Sequence, residues 1–186
     1  MPNPHWRYFL ALEAQFANTL RYVELADANY DTYSIEFASI LLAAASEVDV
    51  IAKLVCSGLD STLTVRNIDS YRNCIRRHFP HFHKIKVALP IHEITLQPWS
   101  SWNSGTNPAW WKAYNNVKHQ RNKHYSDATL RNSMNALAGL LCILLYHLAP
   151  LAQSWAIYPF PQLFTYNGIM SPGPLKGPPS IVLPDH

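Results

Sequence analysis

One short segment concentrates side chains able to move protons and bind phosphate: Asn115-Asn-Val-Lys118-His119-Gln-Arg121-Asn122-Lys-His124. On a helix Asn115 and His119 are i,i+4 neighbours, as are Tyr114 and Lys118, while Lys118 and Arg121 stand three apart. One exposed helix end then carries three cations and two imidazoles. Histidine exchanges protons near neutrality, and the fixed fork of donors on arginine matches phosphate oxygens. These are the parts for cleaving RNA without a metal, where a base activates a ribose 2′-OH and a cation stabilises the charge that develops on phosphorus. In the competing reading Lys118, His119 and Arg121 only complement the negative end of their helix, worth about 0.3–1 kcal/mol each.

Charge is sorted along the chain around this segment. Residues 1–60 hold three Lys/Arg against eight Asp/Glu, a net of −5, whereas residues 61–131 hold eleven against three, a net of +8. Six of the nine histidines lie in that same middle stretch. Such a concentration fits either a polyanion-binding face or a solvated surface balancing an acidic one. The sequence has no Gly-rich phosphate loop and no GxSxG, HExxH or DxDG-type loop, which disfavours nucleotide triphosphate hydrolases, serine hydrolases and zincins. His81-Phe-His83 lacks nearby acidic or cysteine partners and is expected at the surface rather than on a metal. Cys56, Cys74 and Cys142 have no paired spacing and read as free thiols in a reducing compartment.

The elements that must position the segment are helical. Trp6, Phe9, Leu10, Phe16, Ala17, Leu20 and Val23 recur at steps of three and four and predict a first helix from about Pro4 to Leu25. Glu13 falls inside that stripe; a buried carboxylate needs partners, so it is expected at the margin of the face, with a buried network as the alternative. Ser34 is a natural N-cap for a second helix, to about Ser57, stopped by Gly58, with Phe37, Leu41, Ala44, Val48, Ile51 and Val55 inward and Glu47 on the flank. The two helices should pack as an antiparallel hairpin. Asn67 or Asp69 caps a shorter third helix that ends at Pro80.

Lys84–Leu89 alternates and His92–Gln97 has strand composition, so a small ribbon around Pro90 is expected within an insertion over about 81–107. Asn107 and Pro108 supply an N-cap and a first helical residue for a fourth helix to about Asn122, with Trp110, Ala113, Tyr114 and Val117 inward. Ser126 or Asp127 then caps a fifth helix, whose Leu130, Met134, Leu137, Leu141, Leu144 and Leu148 form a buried seam. Eight of the fourteen prolines lie at 150 or beyond. Residues 151–168 are expected to drape over the bundle, and 169–186 to form a flexible, Pro-rich tail.

The sum is a mainly α protein: one domain over residues 1–168, an antiparallel bundle of about five helices with a small β-ribbon insertion. Hydrophobic residues make up 48% and charged residues 15%, enough apolar surface for a real core. The longest apolar run, Ala136–Ala149, is interrupted by His147 and falls short of the roughly 18 residues that span a bilayer. With no secretory pattern at the start, the expectation is a cytoplasmic protein without a membrane role.

The stretch Pro108-Ala-Trp110-Trp111-Lys-Ala-Tyr114-Asn115-Asn-Val-Lys118-His119-Gln-Arg121, followed by Ala128-Thr-Leu-Arg-Asn132-Ser-Met-Asn135-Ala-Leu-Ala-Gly-Leu140, resembles a bacterial helical family of HEPN type (higher eukaryotes and prokaryotes nucleotide-binding). The resemblance implies a helical bundle, a homodimer, no cofactor, and metal-independent RNase activity of the kind found in toxin–antitoxin and phage-defence systems. It also implies RNA as substrate and a cognate antitoxin or defence-system partner. The superfamily pattern is an arginine, a polar residue, then a histidine after four to six positions. Arg121-Asn122 matches its first part, but His124 follows after only two. Three outcomes stay open: His124 acts from a displaced backbone, His119 takes the role, or the chain is a non-catalytic module binding a protein, nucleotide or nucleic acid. The candidate catalytic residues are therefore Arg121, His119 and His124, with Lys118, Asn115 and Asn122 binding substrate and no metal ligands.

Overall fold

In a computed structural model the chain is described over residues 3–154, 156–170 and 178–184. Five α-helices dominate those residues: α1 Pro4–Thr19, α2 Ile35–Leu59, α3 Ile68–His78, α4 Ala109–His124 and α5 Leu130–Leu148. Two short antiparallel pairs accompany them, β1 Val87–Leu89 with β2 Ile94–Leu96, and β3 Ile169–Met170 with β4 Ser180–Ile181. The ribbon expected around Pro90 is β1 and β2, in register Val87 to Leu96.

α5 is the centre. Every residue of its leucine seam is fully buried or within 1% of it, and Ala136–Leu145 is buried on all sides. An all-round apolar helix must be enclosed, and α2 is the element that packs along it most extensively. The Ser133 hydroxyl donates to the Phe37 carbonyl at 2.9 Å and the Leu130 N–H to the Thr32 carbonyl, so α2 and α5 start at the same end. The hairpins α1/α2 and α4/α5 each run antiparallel, as Phe16 against Phe37 and Trp110 against Gly139 place them. With its extension to Leu151, α5 is long and apolar enough to cross a membrane, yet 72% of that window is buried inside the bundle.

Several boundaries differ from the expectation, each for a local reason. α1 stops at Thr19, whose hydroxyl donates back to the Phe16 carbonyl at 2.7 Å and competes with continuation of the helix. Ser34 caps α2 as expected, accepting from the Phe37 N–H at 3.0 Å, and the helix runs one residue past Gly58. Asn67 caps α3 in a reciprocal box with Ser70. Asn107 does not cap α4, because its amide bridges Arg72 (2.8 Å) and Asp69 (3.2 Å); Pro108 takes the cap position. Neither Ser126 nor Asp127 caps α5; Thr129 does, accepting from the Asn132 N–H at 3.1 Å.

Glu13 overturns its expected place at the margin. It is 4% exposed, and its carboxylate accepts the backbone N–H groups of Gln162, Leu163 and Phe164 at 3.0, 2.8 and 2.8 Å. A charge can be buried when several donors converge on it. The segment 156–166 is thus fastened across α1, with Trp6 donating its indole N–H to the Pro159 carbonyl and Phe164 packed between Phe9 and Phe16. Of the residues expected in a flexible tail, 169–170 pairs with 180–181 and Leu183 is buried, while 171–177 lies outside the described residues. Cys56, Cys74 and Cys142 are free and buried.

Candidate functional site

The first three turns of α4 fix its axis. Trp110, Trp111, Ala113, Tyr114 and Val117 are buried, and the Trp110 indole donates to the Pro98 carbonyl at 3.0 Å. Beyond Val117 the sequence supplies no apolar side chain to hold the helix down. At Gln120 the backbone leaves helical geometry (φ −140°, ψ 48°), and the helix resumes with a changed direction to His124. The i,i+4 relations of a straight helix therefore hold up to His119 and fail across the break.

On the near side of the break, Asn115 is half-buried and occupied, donating to the Trp111 carbonyl at 2.9 Å. Lys118 reaches back one turn to donate to the Tyr114 hydroxyl at 3.0 Å, with its ammonium 5.2 Å from the ring centroid. That hydrogen bond, and then the charge of Tyr114, raises the Lys118 pKa, so it stays a cation. His119 is exposed.

On the far side, Arg121 and Asn122 are exposed, and Arg121 has no ion-pair partner among the described residues. Arg121 borders an open groove of about 850 Å³ over α2, together with Tyr8, Ile35, Ser39, Leu42 and Tyr125. His124 turns into a different, shallower concavity of about 390 Å³ with Lys112, Asn116, Asp127 and Asn132. The Nδ1 of His124 lies 3.6 Å from Oδ2 of Asp127, an ion-pair distance rather than a hydrogen bond. Asp127 is itself pinned: Oδ2 accepts from Asn116 at 2.7 Å and its carbonyl accepts from the Asn132 amide at 2.8 Å.

Arg121 and His124 are three residues apart in the resumed helix and border different concavities. The remaining candidates, His119, Lys118, Asn115 and Asn122, belong to the same helix end. Asp127 and Asn116 were not among the sequence candidates. The signal present was the His124-x-x-Asp127 spacing, which sets an acid one turn beyond an imidazole. Glu13 and Glu47 are both engaged elsewhere: Glu13 is held by residues 162–164, and Glu47 by Nδ1 of His5 at 2.5 Å. His81 is exposed as expected, whereas His83 is buried at 9% exposure.

Comparison of the chain with family models, with curated proteins and with solved structures finds no match.

Proposed function

We propose that the chain is a HEPN-like, metal-independent endoribonuclease. The observation that carries this reading is the pairing of an exposed arginine free of carboxylate partners, Arg121, with an imidazole one turn away that faces a pinned carboxylate, His124 with Asp127. Arginine without an internal partner is ready for a phosphate oxygen. Imidazole is the side chain best suited to exchanging a proton near neutrality. In this proposal His124 exchanges the proton of the ribose 2′-OH and Arg121 binds the scissile phosphate. His119 and Lys118 add positive field along the strand, and Asn122 lies beside Arg121.

The reaction is internal transesterification: the 2′-oxygen bonds to phosphorus, the bond to the 5′-oxygen breaks, and that oxygen leaves with a proton. The products are a 2′,3′-cyclic phosphate and a 5′-hydroxyl. RNA is the substrate, a second copy of the chain is the expected partner, and the resemblance adds a cognate antitoxin or defence-system protein.

A second reading is favoured by the groove that Arg121 borders. It is lined mainly by apolar side chains, Ala38, Leu42 and Ala43 among them, with Ile35 76% exposed and Tyr8 41% exposed. A surface of that kind suits a protein partner, and Arg121 would then serve a non-catalytic binding module. RNA incubated with wild-type and Arg121→Ala protein in EDTA separates the two. Cleavage by wild type alone, leaving cyclic phosphate ends, supports the nuclease; RNA held with steep salt dependence and left intact supports the module.

A further inference from the structure

Because His124 and Arg121 border different concavities, the cation that shares one with His124 is another residue, Lys112. Lys112 is exposed and has no ion-pair partner among the described residues. It lies on one face of α4 with Ala109, Ala113 and Asn116, all ahead of the break at Gln120. The two alanines are short and leave room for an open concavity of about 390 Å³. Lys112 and Asn116 line it from the regular part of α4, His124 from beyond the break, and Asp127 and Asn132 from the turn and helix that follow.

Hydrogen bonding fixes what these residues still offer. The carboxylate and the backbone carbonyl of Asp127 accept, so Asn116 and Asn132 turn their NH2 groups to them, at 2.7 and 2.8 Å. The side-chain carbonyl oxygens of both asparagines accept no hydrogen bond from the described residues. The concavity thus brings together one cation, one imidazole and two amide oxygens that call for donors. A ligand that satisfies the set carries an anionic group for Lys112 and an N–H donor for the amides. A nucleotide with an exocyclic amine on its base has both, and the volume falls in the range of about 300–1,000 Å³ that small-molecule sites occupy. Cytosine presents such an amine where uracil, like thymine, presents a carbonyl acceptor.

We propose that this concavity is the subsite for the nucleotide whose 2′-OH reacts, with Lys112 binding its 5′-phosphate and the amide oxygens of Asn116 and Asn132 accepting from its base amine, so that cytidine is preferred over uridine. The choice of reacting hydroxyl rests on the nuclease reading. The scissile phosphate, on the 3′ side of that ribose, is then left to Arg121, which accounts for two cations in two concavities. Lys112 is a substrate-binding residue in this assignment, and the asparagines set base preference.

The test is a titration of the ¹⁵N-labelled full chain with CMP, with UMP and with sodium chloride at matched ionic strength, following the side-chain amide resonances of Asn116 and Asn132. The expected result is a saturable shift with either nucleotide and none with chloride, CMP binding about fivefold or more tighter than UMP. Lys112→Gln, at an exposed position, weakens both nucleotides about tenfold and leaves their ratio unchanged, and Lys112→Arg, which keeps the charge, binds as wild type does within about threefold. Lys84→Gln, exposed on the insertion, changes neither affinity. CMP binding that depends on Lys112 in a chain that leaves RNA intact upholds the nucleotide site and removes the nuclease. RNA cleavage without saturable CMP binding, or with CMP affinity unchanged in Lys112→Gln, overturns the subsite and leaves the nuclease standing. Equal affinity for CMP and UMP, or an equal response to chloride, also overturns it.

Discussion

In the proposed mechanism His124 is the proton-transfer group, and the Asp127 carboxylate lies 3.6 Å from its Nδ1. Under the proposed mechanism His124→Ala lowers RNA cleavage about a hundredfold or more, and Asp127→Asn about tenfold to a hundredfold, measured as initial rates on one oligonucleotide. His119→Ala, at an exposed position without a carboxylate behind it, changes the rate by less than about tenfold. Equal losses in His119→Ala and His124→Ala would remove the distinction. Glu13 belongs to this scale too, although its role is structural. Glu13→Gln sets an amide donor against three backbone N–H groups and costs about 2–3 kcal/mol, read as a lowered denaturation midpoint. Faster proteolysis within 156–166 should accompany it, and an unchanged midpoint would contradict the account. The spacing of Glu13 shows that it lies on an apolar stripe. Its partners are some 150 residues away, and periodicity carries no information about them.

Helices were legible where one face is apolar over several turns. The α2 face and the α5 seam read directly from steps of three and four, and the inward tryptophans of α4 did the same. What was not legible was competition for capping side chains. Asp127 and Asn107 are good cap residues by type, but both are engaged in tertiary hydrogen bonds, with Asn116 and with Arg72 and Asp69 respectively. The break at Gln120 was equally hidden, since no proline or glycine marks it. It decides the geometry of the candidate site by separating His119 from Arg121 and His124. At the α4/α5 crossing, Gly139 is required by close approach: a Cβ there would lie 2.8 Å from the Trp110 ring. Gly139→Ala is therefore destabilising by about 1–3 kcal/mol despite the better helix propensity of alanine, a loss that thermal unfolding detects. A rise in Tm would show that the crossing has more room.

At the scale of the whole molecule, the acidic and basic parts of the chain fall on different segments. Residues 1–60, which are α1, α2 and their connections, carry eight of the twelve acids, and α3, the ribbon insertion and α4 carry nine of the fifteen Lys and Arg. RNA binding should accordingly weaken steeply between about 50 and 200 mM salt, a dependence seen by filter binding and absent if the basic stretch only balances the surface. Stability should depend on pH through two histidines, the buried His83 and the half-buried His147. Burial, and then the charge of His5, lowers the His147 pKa; burial, and then Arg76, lowers that of His83. With folded values below the unfolded one of about 6.5, the unfolded state binds more protons as pH falls, so stability declines below about pH 6.5 and levels off beneath the folded values. Urea denaturation at pH 7.5 and 5.5 checks the sign, and His147→Gln should flatten part of the decline. The central claim is that the far end of α4 cleaves RNA without a metal, and the most direct measurement is the cleavage of RNA in EDTA by wild type, Arg121→Ala and His124→Ala purified identically. Cleavage by wild type to 2′,3′-cyclic phosphate ends, with little or none by either variant, is the predicted result. Intact RNA with wild type, or cleavage by Arg121→Ala at the wild-type rate, would contradict it.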